Sequence, residues 1–428
     1  MKYIENLKGI NNNDLNSFIE NTLKELPSAR KLLVIFPDYT RADFTDRIAP
    51  LILKRFGNNG SARIDFLNAG GTHREMIHSE FVIKLGIKKR DPYVCFYNHN
   101  YNDPENLITI GNIPQNLVKE KTSNQLKTPI PITVNRMVFE EYDLIIVISG
   151  TVPHEASGYS GGLKIFFPGI SGPEVIDLFH WAAVLVGLPN IIGTVHNNAR
   201  DIINVGSKSI FERIKTRLYS FNMVNTEIKE EVIPVGLYID SGYEGFLSTY
   251  KSAASASSKV HVKYIDMPLK QAVQVIPDCY DEIWTAGKGS YKLQKPGVMA
   301  PGGEIILYAP HIKHFHSRKE IEADLLELGY HCRDNVCNMI ENGSNVCKNA
   351  AAHVINVVGP GFFDPKTGKE KLAFKVTLAT AIPPEICEKV GLGYRDPATI
   401  KKSDFTGPGK LWIEEGGKYL YDIKREKG

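Results

Sequence analysis

The sequence predicts an α/β protein built from two α/β domains. Three observations carry this: apolar, β-branched runs recur along the whole chain, most of them stop at Gly, Asp, Pro or Asn, and helical periodicity follows. The 428 residues, 43% apolar and 23% charged, have the make-up of a globular protein with substantial cores. At roughly 150 residues per domain, two or three domains are expected. The charge balance of 51 Lys and Arg against 48 Asp and Glu is spread without long like-charge runs, so no nucleic-acid footprint is present. The polar start MKYIENLKGINNNDL lacks a signal-peptide core, and the apolar stretch VIDLFHWAAVLVGLPNIIG is interrupted by His180, Gly187 and Pro189. A cytoplasmic protein with no membrane partner is therefore expected. Its six cysteines include no CxxC pair, and Cys332, Cys337 and Cys347 are poorly spaced for zinc, which leaves free thiols as the expectation.

Taken in order, the runs that predict strands are 32–38, 62–71, 143–150, 190–197, 260–266, 282–287, 303–310 and 353–359. The small-residue segment KSAASASSKV, 251–260, offers no hydrophobic stripe and predicts a linker. It separates an N-terminal α/β domain, 1–255, from a C-terminal one, 261–405. The last stretch, 408–428, predicts a hairpin packing back on either half.

In doubly wound sheets, ligands sit beyond the carboxyl ends of the strands, so the residues following each run matter most. After the first run come Asp38, Tyr39, Thr40 and Arg41. Arg41 could fork onto a carboxylate or phosphate, or make an ordinary surface ion pair with Asp38 or Asp43. After the second come Gly70, Gly71, Thr72, His73, Arg74 and Glu75, where Thr72 and Glu75 have capping-box spacing and predict a helix start. That start could bind an anion or be a plain cap. After 143–150 comes SGTVPHEASGYSGGLK, with His154, Ser160, Gly161, Gly162 and Lys164 in one loop that matches neither the Walker A nor the dinucleotide fingerprint.

Ser171 and Glu174 predict another helix start, which places His180 in an otherwise apolar helix ending at Gly187. His180 is either a core histidine or a metal ligand. His99, among Asn and Tyr residues, and His154 are candidates for two acid/base groups, or are unrelated loop histidines. The run His311–His316, HIKHFH, lacks the geometry of a familiar zinc motif and is more plausible as a substrate-facing loop.

Together these segments resemble the lactate racemase family that uses a nickel-pincer nucleotide. The resemblance rests on DYTR, on GGTHREM and on PHEASGYSGGLKIFFPGISG, with ten residues from His154 to Lys164 and sixteen from Lys164 to His180. It implies that Lys164 tethers the pyridinium-derived cofactor through a thioamide, and that His180 is the protein's ligand to Ni. Donors of nitrogen and soft sulfur suit that metal. Asp38, Thr40, Thr72, His73, Arg74, Ser160, Gly161, Gly162 and Tyr291 would hold the cofactor. His99 and His154 would exchange the hydroxyl proton while the C2 hydrogen leaves as hydride, and Arg41 and Lys295 would clamp the carboxylate. The active site would lie in a cleft between the domains.

Two departures bear on the substrate. In Tyr291-Lys292-Leu293-Gln294-Lys295, Lys292 stands where the family has Gln, and a later tryptophan is replaced by Phe362 and Phe363 in GPGFFDPKTGKEKLAFK. The expectation is a racemase or epimerase of a 2-hydroxy acid larger or more polar than lactate. Cofactor biosynthesis enzymes are the implied partners. Lactate racemase proper, a zinc hydrolase on the same fold and a non-catalytic ligand sensor are the alternatives.

Overall fold

The structure is a computed structural model that describes residues 1–57, 62–87, 92–228 and 231–424. The chain divides into two compact units, Met1–Phe179 with Thr194–Val260, and His180–Gly193 with His261–Gly428. Both are α/β.

Up to residue 261 the elements run β1 (Lys2–Glu5), α1 (Asn12–Glu25), β2 (Lys31–Phe36), α2 (Thr45–Phe56), β3 (Arg63–Asn68), α3 (His78–Leu85), β4 (Val94–Asn98), β5 (Leu107–Ile113), α4 (Gln115–Lys121), β6 (Ile130–Asn135) and β7 (Leu144–Gly150). There follow β8 (Pro153–His154), β9 (Gly158–Tyr159), α5 (Pro173–Val186), α6 (Leu188–Ile191), α7 (Asn198–Phe211), β10 (Arg217–Ile228), β11 (Glu231–Ser241) and α8 (Gly242–His261). Among the described residues, seven strands form the main sheet of the first unit in the order β1-β11-β10-β7-β2-β3-β4. From β10 to β4 the neighbours are parallel, while β11 and β1 add antiparallel strands at one edge.

The near-continuous apolar runs of β2 and β7 are buried on both faces, as parallel central strands require. Alternation divides them: Leu32, Val34 and Phe36 share one core with Ile64, Phe66, Ile146 and Ile148. The stripes Leu15, Ile19 and Leu23 of α1, and Ile48, Ile52 and Phe56 of α2, close that core. After β2 the chain moves one way to β3 and β4, whereas β7 and β10 lie on the other side of β2. The topological switch point therefore falls between β2 and β7, and the loops after those strands flank it.

The second unit contains β12 (Val262–Ile265), β13 (Leu269–Val275), α9 (Ile283–Ala286), α10 (Lys288–Tyr291), β14 (Met299–Ala309), α11 (Lys319–Leu328), α12 (Arg333–Glu341) and α13 (Lys348–Val358). It continues with β15 (Gly361–Asp364), β16 (Lys369–Leu372), β17 (Lys375–Thr380), α14 (Pro384–Lys389), β18 (Gly393–Tyr394), β19 (Lys410–Ile413) and β20 (Leu420–Ile423). Its parallel sheet has the order β18-β17-β14-β13-β19.

Several sequence expectations are corrected. Segment 251–260 is the interior of α8, not a linker. Its small residues are a packing surface: Ala253 and Ala256 lie against Val224, Val235 and Tyr238, and Ala254 against Tyr159 and Tyr250. The runs 282–287 and 353–359 are helical, in α9 and α13, because a short buried apolar run fits a core helix as well as a strand. Segment 190–197 ends α6 and turns without forming a strand. The final segment is no hairpin: β19 joins β13, and β20 pairs with β12. No helix among the described residues is long and apolar enough to cross a membrane.

Candidate functional site

The loop after β2 folds around its own carboxylates. Asp38 is buried, and its Oδ1 accepts from the Thr40 amide at 2.8 Å and the Thr40 hydroxyl at 2.5 Å. Its Oδ2 lies 2.6 Å from His73 Nδ1. Burial works to raise the Asp38 carboxyl, but His73, Arg41 and Thr40 outweigh it and hold the group well below the usual carboxylate range. The pattern repeats five residues on, where Asp43 Oδ1 accepts from the Thr45 amide and hydroxyl at the start of α2. Lys84 of α3 completes this second turn, with Nζ 2.9 and 2.8 Å from the two Asp43 oxygens and 2.5 Å from the Arg41 carbonyl. Arg41 thus projects from a backbone pinned by a buried ion pair.

The loop after β3 turns without starting a helix at Thr72. The His73 amide donates to the Gly70 carbonyl, and α3 begins at His78. The carboxylate that reaches back is Glu80, which accepts from the Ile77 amide at 2.9 Å, so the acidic capping residue is Glu80 rather than Glu75. Arg74 turns to that same carboxylate, at 2.9 and 2.5 Å, and its guanidinium covers the Tyr39 ring. Thr72 lies half-buried in the turn.

After β7 the chain forms the short hairpin of β8 and β9, in which His154 pairs with Gly158. Ser160 ties the hairpin to the sheet, its hydroxyl donating to the Gly150 carbonyl at 2.7 Å and accepting from the Val152 amide at 3.0 Å. Gly161, at φ +77°, lies so close to β7 and β10 that a Cβ there would stand 2.8 Å from Thr151 Oγ1 and 3.0 Å from Asn222 Oδ1. The Ser149 and Thr151 hydroxyls donate to that same oxygen of Asn222, and the Gly162 amide donates to Ser149. Lys164 follows, half-buried. Burial and the Arg41 and Arg200 guanidiniums push its amine down to about 8, opposed by Glu155 and Asp38.

Hydrogen bonds assign the two candidate acid/base rings. Asn135 Oδ1 accepts from the Met137 amide, so its Nδ2 donates to His99 Nδ1 at 3.1 Å, and His99 Nε2 then donates to the Ser171 carbonyl at 2.9 Å. Burial holds this ring down to about 4, the Ser171 carbonyl opposing. In His154, Nδ1 accepts from the Ala156 amide at 3.1 Å and lies 3.5 Å from Glu155 Oε2. His154 Nδ1 is thus committed to the hairpin's own backbone.

The first unit thus brings together Asp38, Thr40, Arg41, His73 and Lys164 as neighbours in space or charge. Thr72, Arg74, His99, His154 and Ser160–Gly162 occupy the adjoining loops. His180, Tyr291 and Lys295 belong to the second unit. There the Tyr291 hydroxyl lies 2.9 Å from His353 Nδ1, and Tyr330 Oη lies 3.1 Å from His353 Nε2. The HIKHFH run is drawn into its own unit: His311 Nε2 meets the Tyr280 carbonyl at 3.0 Å, and His316 Nδ1 accepts from the Arg318 amide at 2.9 Å. Among the described residues, no three His, Cys, Asp or Glu side chains are grouped so as to hold a metal ion by themselves. Sequence reasoning passed over Lys84, Asn135, Arg200 and Asn222. The second Asp-x-Thr turn, Asp43 to Thr45, was the one available signal for Lys84.

Two buried polar atoms near the strand ends have no partner, Asn222 Nδ2 and Asn68 Oδ1. Buried amide groups normally find one, so these suit a polar group supplied from outside the chain. In the same unit the Lys164 amine, pushed down to about 8, suits covalent attachment. A nickel centre that brings its own sulfur and carbon donors needs only one protein nitrogen. The residues present fit such a group.

A profile of the lactate racemase N-terminal domain matches residues 8–188. The lactate racemase of Thermoanaerobacterium thermosaccharolyticum is 27% identical over 193 residues, 44% of this chain and 41% of the relative. That of Lactiplantibacillus plantarum is 30% identical over 162 residues, 37% of this chain and 34% of the relative. The matched segments thus span less than half of either relative. A crystal structure of a Thermotoga maritima protein superposes with a TM-score of 0.94 at 52% identity, covering 98% of this chain and 100% of that one. The lactate racemase apoprotein from T. thermosaccharolyticum superposes with a TM-score of 0.65 at 16% identity, covering 96% and 93%; this likeness concerns the fold.

Proposed function

Because the chain belongs to the lactate racemase family, we propose that it inverts C2 of a 2-hydroxy acid, using a nickel-pincer nucleotide tethered to Lys164. The observation that carries this is the Lys164 amine, pushed down to about 8 in a loop at the switch point of the sheet. A lysine that is partly neutral near pH 7 to 8 can attack an acyl or thioacyl carbon, as an ordinary surface lysine cannot. When bound, the cofactor supplies an acceptor for the hydrogen of C2. Nickel's protein ligand in this proposal is His180.

The chain's own residues do the remainder. Arg41 binds the substrate carboxylate from a backbone that Lys84 fixes, and Lys295 supplies the second cation. His154 exchanges the hydroxyl proton through Nε2, since the Ala156 amide occupies Nδ1. His99 takes the same role for the opposite enantiomer, and its Nε2 can accept a proton only when the ring proton moves to Nδ1, which gives up the Ser171 and Asn135 bonds. Asp38, by its contacts with Thr40 and His73, orients the groups around the cofactor. Thr72, the Ser160–Gly162 turn and Asn222 offer it polar contacts. In the proposal Arg74 and Tyr291 serve from behind, since each already holds a protein partner.

The substrate is proposed to be larger or more polar than lactate, on the ground that the buried Lys292 adds a cation where the family has a neutral amide. A cation beyond the two that take the carboxylate favours an acid with a further polar or anionic group over one with a methyl. The test is to co-express the protein with the cofactor's biosynthetic enzymes and incubate it with single enantiomers of lactate, of hydroxy-dicarboxylates and of sugar acids, following C2 inversion by chiral chromatography. Faster inversion of a larger acid than of lactate is expected. Lactate as the best substrate would overturn the substrate assignment, and no inversion by nickel-loaded protein would overturn the racemase.

A further inference from the structure

Arg200, on α7, is almost completely buried, and among the described residues no carboxylate pairs with it. Its guanidinium is spent on the catalytic hairpin instead. Nε donates to the Ser157 carbonyl at 3.1 Å, Nη2 donates to the Tyr159 carbonyl, and the plane lies 3.9 Å from the centre of the Tyr250 ring. Seven residues on, along the same face of the helix, Ser207 donates to the Leu163 carbonyl at 3.2 Å. The hairpin also presses on the start of α7: a Cβ at Gly158, φ +81°, would stand 1.9 Å from the Thr194 carbonyl oxygen and 2.7 Å from Asn197 Nδ2. Asn197 caps α7 by accepting from the Arg200 amide.

A buried cation with no anion is costly, and two main-chain carbonyls and a ring face offset that cost only in part. A neutral side chain would pack at less expense, which makes the retained charge a functional clue. We propose that Arg200 is a positioning residue of the site: it braces the loop from His154 to Lys164 through its carbonyls and adds a fixed positive charge to the field at the Lys164 amine. This deepens the reading of Lys164 as the attachment point and rests on it, but the test needs no cofactor. The charged groups that act on the amine are Arg41 and Arg200 on one side of the balance and Glu155 and Asp38 on the other.

The experiment is competitive labelling of the full-length protein with trace acetic anhydride between pH 6 and 11, with Lys164 followed by peptide mass spectrometry. The neutral amine attacks the anhydride carbonyl, acetate leaves and the nitrogen loses a proton, so the rate tracks the neutral fraction. In the unsubstituted protein the midpoint is expected near 8. Arg200→Met should raise it by half a unit or more, about threefold slower labelling at pH 7. Arg200→Lys keeps the charge but not the fork, so its midpoint should stay near 8 while the hairpin amides of Tyr159 and Ser160 exchange with deuterium severalfold faster.

An unchanged midpoint in Arg200→Met overturns the electrostatic role. Equal midpoint shifts in both variants would assign the effect to packing and overturn it as well. Should Arg200→Met not fold, Arg200→Lys alone decides the bracing, since unaltered hairpin exchange contradicts it. Failure of cofactor loading would touch the functional proposal and leave these results standing.

Discussion

Two regions, the strand ends of the first unit and the surroundings of His353 in the second, treat buried polar groups in opposite ways. At the carboxyl ends of the first unit's strands the supports are charged: Asp43 with Lys84, Asp38 with His73, and Arg200 against carbonyls. Asn222 and Asn68 still leave an atom without a partner there. Around His353 in the second unit the network is neutral, with Tyr291 and Tyr330 on the two ring nitrogens and Trp284 stacked 4.6 Å away. Burial, with a smaller push from His316, holds His353 down to about 3, so the ring is uncharged at neutral pH. Preorganised charge is what a site needs in order to hold an anionic substrate and tune an amine, whereas a closed neutral network only fixes a fold.

Substitutions should expose this contrast. The largest effect is expected for Lys164→Ala, which should lose both the nickel adduct, read by intact mass and metal analysis, and racemisation. Next, Lys84→Met strands the Asp43 carboxylate, fully buried, and should cost about 3–5 kcal/mol in urea unfolding. Asp38→Asn should cost about 1.5–3 kcal/mol at pH 7. Because the folded carboxyl is held below its unfolded value, that stabilisation is complete above about pH 4 and is lost as pH falls below it. The gap between Asp38→Asn and the unsubstituted protein should therefore close in acid.

His353→Phe should cost about 1–2 kcal/mol at pH 7, for two tyrosine hydroxyls left without their partner. Its folded pKa is lowered, so the unfolded chain binds the proton first and the unsubstituted protein loses stability as pH falls from about 6.5 towards 3. The variant lacks that loss, so the gap should close by up to about 1.4 kcal/mol per pH unit and the order of stability should reverse towards pH 4, as thermal melts at pH 7 and pH 4 would show. Smallest is Arg74→Ala, below about 1 kcal/mol, because its pair with Glu80 is half-exposed.

The sequence was most transparent in the loops that follow the central strands. Asp38, Arg41, His73 and Lys164 follow buried apolar runs, and the switch-point rule points to such loops. The supports were opaque, because Lys84, Asn135, Arg200 and Asn222 reach the site from elements far away in the chain and belong to no local pattern. The fold showed the same division. Runs such as 143–150 and 303–310 could be read as strands, whereas the alanine-rich approach to 353–359 and the small residues of 251–260 took their structure from what they pack against. Periodicity reports a face, but not the neighbour that selects it.

The most direct test of the Lys164-tethered nickel site is peptide mass spectrometry of Lys164, with metal analysis, on protein co-expressed with the cofactor's biosynthetic enzymes. A lactate racemase loaded in the same host serves as the control. A nucleotide adduct on Lys164 with bound nickel is the predicted result. An unmodified Lys164 beside a loaded control would contradict it.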